Sequence, residues 1–165
     1  MSSPKFTNIG TELVYDIQGH DDFLGDIATS LSAGRMHHAW LLTGPAGIGK
    51  SSMARLAAAW LLSEDAQSRV LFGKESPNIK IDAEDAGTSL VLRGAHPDYK
   101  IIAPQPEDNK SGQIKISQIR ELLPFMMHKP ARGGWRVAII DSMDEVNLNS
   151  ANALLKLRCT PPPPS

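Results

Sequence analysis

A single cysteine, Cys159, is all the thiol chemistry this chain has. A disulfide within one chain is thereby excluded, as is a Cys-rich zinc site, and a reducing compartment fits best. Nor does any stretch approach the ~20 apolar residues that a membrane span needs. The amino terminus, Met-Ser-Ser-Pro-Lys-Phe-Thr-Asn, lacks the apolar region of a secretory signal, which makes the cytoplasm the expected compartment. Charge of either sign is lacking in excess: 17 Lys and Arg stand against 18 Asp and Glu, a formal net charge of −1. Global electrostatics therefore points neither to a nucleic-acid binder nor to a membrane-surface protein. With 165 residues, 41% hydrophobic and 21% charged, a folded single domain with a real core is expected.

What the chain does have is the stretch Leu41-Leu42-Thr43-Gly44-Pro45-Ala46-Gly47-Ile48-Gly49-Lys50-Ser51, an apolar run ending in Gly-x-x-x-x-Gly-Lys-Ser. This is the pattern of a phosphate-binding loop. Gly44, Gly47 and Gly49 let the backbone turn tightly enough for successive N–H groups to face polyphosphate oxygens, while the helix that follows presents its positive end. Lys50 is expected to reach the β- and γ-phosphates and Ser51 to ligate Mg²⁺. The candidate nucleotide-binding residues are thus Gly44, Pro45, Ala46, Gly47, Ile48, Gly49, Lys50, Ser51 and Ser52. Their context agrees: Ala39-Trp40-Leu41-Leu42 reads as a short buried strand. Met53, Leu56, Ala57, Trp60 and Leu61 form one face of a helix over residues 50–62.

Elsewhere the chain alternates in the same way. Residues 1–16 read as an amino-terminal lead. Leu24, Ile27, Ala28 and Leu31 predict an amphipathic helix over 22–33, with Asp21 or Asp22 as N-cap and Gly34 ending it. One of His37 and His38 is expected to be buried where the chain enters the sheet. A polar, acid-rich insert spans 63–96, with Leu90-Val91-Leu92 as a short apolar anchor inside it. His96-Pro97-Asp98 is a turn signal, and Tyr99 to Ala103 reads as a buried strand closed by Pro104 and Pro106. After a loop from Gln105 to Gly112, Ile116, Ile119, Leu123 and Met126 mark a helix with Ser117 near its start and Pro130 beyond its end.

Val137-Ala138-Ile139-Ile140-Asp141 is an apolar run ending in an acid, the form of the second strand of a nucleotide site. In that reading Asp141 emerges at the carboxyl end of the sheet beside the phosphate loop and holds Mg²⁺ directly or through water. In many ATP-hydrolysing proteins of this class a Glu follows that Asp and polarises the attacking water; here the residue is Ser142. A hydroxyl is no general base near neutral pH, so turnover should fall by the ~100- to 10,000-fold that general-base catalysis supplies.

Several separate stretches then agree on one family. The segment from Gly34 to Gly44, His96-Pro97-Asp98, Ile119-Arg120-Glu121-Leu122, Gly133-Gly134-Trp135-Arg136-Val137 and Asn149-Ser150-Ala151-Asn152-Ala153-Leu154-Leu155-Lys156 follow in order. Together they resemble the amino-terminal AAA+ module of the delta-prime family of DNA polymerase III clamp-loader subunits, over residues 17–156. The resemblance implies an α/β P-loop NTPase fold, a parallel sheet with flanking helices. It also implies ATP and Mg²⁺ as ligands, delta and gamma/tau subunits as partners, and the sliding clamp and primed DNA reached through them. Ser142 in place of Glu agrees with a stator that hydrolyses little ATP. Some relatives carry a four-cysteine zinc module after the first loop helix; the insert here has no Cys, so zinc is not implied.

The family pattern breaks at residues 157–165, Leu157-Arg158-Cys159-Thr160 followed by four prolines and Ser165, which read as an aberrant Pro-rich tail. The resemblance implies a sheet incomplete at its carboxyl end, as in a frameshifted or truncated reading, with both neighbouring strands short of a ladder. Two other readings stand beside this one. The chain is alternatively a small P-loop ATPase or kinase using Lys50, Ser51 and Asp141. The basic residues of 109–136, namely Lys110, Lys115, Arg120, Lys129, Arg132 and Arg136, alternatively face nucleic-acid phosphate.

Overall fold

Ile27, Ala28 and Leu31 are buried along one side of α1 (Asp21–Ser32), whose apolar spacing was the reason to expect a helix there. The helix begins at Asp21, the first of the described residues, and the N-cap expected at Asp21 or Asp22 is left untested. The carboxyl end is as expected. Gly34 takes φ 63°, its N–H donates to Leu31 O and that of Arg35 to Ser30 O, each at 3.0 Å, the paired bonds that close a helix on a left-handed glycine. The computed structural model describes residues 21–64, 81, 82, 84–104, 114–141 and 143–146. The amino-terminal lead and residues 17–20, residues 65–80 and 83 of the insert, the loop at 105–112 with residue 113, Ser142 and residues 147–165, Cys159 included, lie outside the described residues.

The chain divides into two compact units, Met1–His96 and Pro97–Ser165. In the first, α2 (Lys50–Leu61) buries Met53, Leu56, Ala57, Trp60 and Leu61, the predicted face, together with Ala58 and Ala59. What covers that wide face is α3 (Ala86–Leu92), a helix within the stretch that the sequence reads as a polar insert. Asp85 starts it: one carboxylate oxygen accepts from Thr88 N at 2.8 Å and the other from Glu64 N at 2.9 Å, tying the N-cap of α3 to the chain just past α2. Thr88 and Val91 are buried on this helix, so of the apolar anchor expected at Leu90–Leu92 Val91 is the buried member and Leu90 and Leu92 are half-buried.

Close approach explains one residue in α3. A Cβ on Gly87 would stand 2.1 Å from Leu62 O and 3.0 Å from Leu62 C, and backbone atoms cannot swing aside as a side-chain tip can. Gly87→Ala is therefore expected to push α3 off the end of α2 and cost about 1–3 kcal/mol. A thermal melt of the full chain checks it; an unchanged midpoint would mean that the helices separate at no cost.

The predicted strand at Ala39–Leu42 is not one: the segment has no ladder, and Leu41 is 74% exposed. Trp40 packs edge-on against Phe23, centroids 5.8 Å apart, and against His37 at 5.4 Å. Both His37 and His38 are exposed, which corrects the expectation that one is buried. An apolar run becomes a strand only where another strand takes its N–H and C=O groups, and among the described residues none pairs with this one.

In the second unit β1 (Tyr99–Ile102) and β2 (Val137–Ile140) form a parallel pair, Tyr99 opposite Val137 and Ile102 opposite Ile140. Between them runs α4 (Ile116–Met127), which packs on β1. Ile102, Ile114, Ile119 and Leu122 make the core, with Phe125, Ala138, Ile140 and Val146 against it. Here the expected helix face is off by about one residue, since Leu122 is buried while Met126 is 39% exposed. Gln118 fixes the start of α4, accepting from Lys115 N at 2.9 Å and donating to Ala103 O at 3.0 Å. The second unit is thus an α/β arrangement, a two-stranded parallel sheet with α4 packed on it, while the regular elements described in the first unit are helices.

Candidate functional site

Local sequence builds the loop ahead of α2. Gly44, Gly47 and Gly49 have φ values of 147°, 81° and 95°, a backbone that side-chain-bearing residues rarely adopt. At Gly44 a Cβ would lie 2.6 Å from the tip of Ile48, an exposed side chain that can swing aside, so the backbone conformation is what asks for glycine there. Gly49 is the N-cap of α2 and, having no side chain, gives the helix no side-chain cap; nor does an acid stand in its first turn. The positive end of α2 is therefore uncompensated by any capping group of its own.

Lys50, the first residue of the helix, folds back across the loop. Its Nζ donates to Gly44 O and Pro45 O, both at 2.8 Å. Ser51 and Ser52 follow in the first turn of α2, each half-buried, while Pro45, Ala46, Gly47 and Ile48 are exposed. Among the predicted nucleotide residues, Gly44 to Ser52 thus form one continuous loop and helix start within the first unit.

Asp141 follows β2 directly, and its N–H donates to Ile102 O at 2.8 Å, adding one bond to the ladder. Its side chain is half-buried. Loop and Asp141 belong to different units, so each half of the expected site is a property of its own unit. Among the described residues no group of three or more His, Cys, Asp or Glu is gathered as for a metal ion held by protein alone. Among them, too, no helix is long and apolar enough to cross a membrane.

The sequence model of the family described as "DNA polymerase III, delta subunit" matches residues 19–164. The chain belongs to that family. It is 34% identical over 119 residues to DNA polymerase III subunit delta' of Pseudomonas aeruginosa, covering 72% of this chain and 32% of that relative. Over 147 residues it is 31% identical to subunit tau of Escherichia coli, covering 89% of this chain and 20% of that one. A subunit gamma of Buchnera aphidicola is 31% identical over 152 residues, with 89% and 36% covered. The chain therefore spans roughly a fifth to a third of the length of these relatives.

Among the described residues, one densely bonded polar group belongs to a residue that sequence reasoning left as part of a turn. Asp98 is fully buried and accepts from Ala131 N at 2.8 Å, Arg132 N at 3.1 Å, and Arg136 Nε and Nη2 at 3.1 and 2.6 Å. Arg136 also donates to Phe125 O and, at 2.8 Å, to Lys129 O, and its guanidinium lies 4.7 Å from the Phe125 ring centroid. Burial alone would raise the Asp98 carboxyl. The Ala131 N–H, the Arg136 guanidinium and the Arg132 N–H outweigh it and hold the group below the ordinary carboxylate value.

This corrects the basic-surface reading at Arg136, whose charge is spent inside the unit. Outside that basic run, Lys100 pairs with Glu121 at 3.1 Å on the surface. A signal for the Asp98–Arg136 pair does exist in the sequence. If Tyr99 and Val137 open parallel strands in register, the residues just before them, Asp98 and Arg136, are neighbours as well.

Proposed function

We propose that the chain is a clamp-loader subunit of DNA polymerase III, a nucleotide-binding module over residues 17–156 that holds ATP and turns over little of it. The observation that carries the reading is the loop of three glycines closed by Lys50 in front of an uncapped helix. Side chains are missing where polyphosphate oxygens would approach the backbone, and the one cation of the loop is already tethered to it. The residues fit a nucleoside triphosphate for that reason.

In this reading Lys50 exchanges its two loop carbonyls for β- and γ-phosphate oxygens, and the N–H groups of Gly47 to Ser52 line the phosphates. Ser51 and Asp141 are the residues that would hold Mg²⁺, and the ion would supply neutralisation of phosphate charge. Ser142 offers no general base, so the bound nucleotide serves assembly more than turnover. The partners are then delta and gamma/tau subunits, in line with the delta', tau and gamma relatives. The sliding clamp and primed DNA are met through the assembled complex, in the cytoplasm.

Two measurements on the purified chain test this. Titration with a fluorescent ATP analogue in Mg²⁺ should show saturable binding. Steady-state ATPase should stay near background. Steady turnover that Lys50→Ala abolishes would overturn the low-hydrolysis reading, and failure to bind the analogue would overturn nucleotide binding itself.

A further inference from the structure

The β1–β2 ladder is nearly without register information of its own. Its four pairs are Tyr99 with Val137, Lys100 with Ala138, and Ile with Ile at both remaining positions. Because side chains alternate with period two, a slip of two residues in either direction keeps each one on its face. It would also carry Asp141 about 7 Å along the strand direction. With Val137 and Ile139 on one face of β2 and Ala138 and Ile140 on the other, the apolar pattern does not itself choose a register.

One contact does not tolerate a slip. Asp98 and Arg136 stand immediately before the two strands, and the register that puts Tyr99 opposite Val137 is the register that lets Arg136 reach Asp98 with two of its nitrogens. Any slip separates them. Asp98 is fully buried and the Arg136 side chain only 11% exposed, so separation would leave two charges out of water and unpaired. The backbone follows the same logic at both ends: Val137 N donates to Asp98 O, and Asp141 N to Ile102 O.

We propose that the Asp98–Arg136 pair is the register key of this sheet and, through it, a positioning pair for Asp141. The pair sets how far along β2 the carboxylate emerges. Its importance for ligand binding rests on the reading of Asp141 as a Mg²⁺ ligand; the register itself does not.

Scalar couplings across hydrogen bonds, measured by NMR on the full chain, report which carbonyl each amide uses. In the wild type Asp141 N should couple to the carbonyl carbon of Ile102. In the double variant Asp98→Asn with Arg136→Met, new couplings from Asp141 N to Lys100 or Pro104 are expected, the two slipped registers. A folded double variant that keeps the Ile102 coupling alone would overturn the proposal. Should the double variant fail to fold, Arg136→Lys carries the test. An ammonium reaching Asp98 without the bonds to Phe125 O and Lys129 O keeps the register if the charge pair sets it, and loses it if those carbonyls do. Separately, Asp141→Asn should remove the gain in ATP-analogue affinity that Mg²⁺ gives. If that gain survives, the metal role of Asp141 falls while the register result stands.

Discussion

Asp98→Ala is expected to destabilise the second unit by about 3–5 kcal/mol, among the largest effects of any single substitution in the described residues. The reason is asymmetry. Alanine removes the carboxylate but leaves the Arg136 guanidinium buried, with only the carbonyls of Phe125 and Lys129 as acceptors. It also strips the N–H groups of Ala131 and Arg132 of their acceptor. Adding Arg136→Met to Asp98→Ala should recover part of the loss, because the stranded charge goes with it while the carboxylate bonds to the two N–H groups stay lost. Denaturant unfolding of the wild type, both single variants and the double variant measures the coupling. A loss below about 1 kcal/mol for Asp98→Ala would show that the pair is worth no more than a surface ion pair.

The same pair fixes the sign of an acid effect. With its folded value held below the unfolded value of about 4, the Asp98 carboxylate stabilises fully above that pH. The contribution is lost as pH falls from about 4 through the folded value. In Asp98→Ala that part of the acid sensitivity should be absent, so the stability profiles of wild type and variant should converge as the pH drops.

What the sequence made legible was local. The left-handed glycine that ends α1, the face of α2 and the loop from Gly44 to Ser51 are each specified by residues within a few positions of one another. Each appears with nearly its expected bounds. Asp141 at the end of β2 was legible for the same reason, since four apolar residues and an acid need no partner to be recognised. Non-local contacts were not. Ala39–Leu42 has the composition of a buried strand, yet whether it becomes one depends on a neighbour that composition cannot name. α3 escaped because seven residues are too short to display a period, although Asp85 three positions before Thr88 was a readable cap. Asp98 and Arg136 lie 38 positions apart. Each looked ordinary alone, one a turn acid and the other a member of a basic run, and only the parallel register joins them.

Lys50→Ala should weaken binding of an ATP analogue about 10- to 150-fold, the loss of charge-assisted hydrogen bonds worth about 1.5–3 kcal/mol. Two effects add in the same direction. The ammonium is the cation placed to meet the phosphates, and it is also what ties the loop together, bridging Gly44 O and Pro45 O at 2.8 Å each. Without it the loop has to order itself around the ligand, so part of the affinity goes into conformational entropy. Gly47→Val separates the two effects: it keeps the ammonium but forces a β-branched residue to φ 81°, a conformation it adopts only under strain. That variant should lose affinity as well, with Lys50 intact. Lys129→Ala, an exposed lysine of the second unit whose backbone carbonyl alone is used, is the control and should bind as the wild type does. Equal binding by Lys50→Ala and Lys129→Ala would mean that the loop is not where the nucleotide sits.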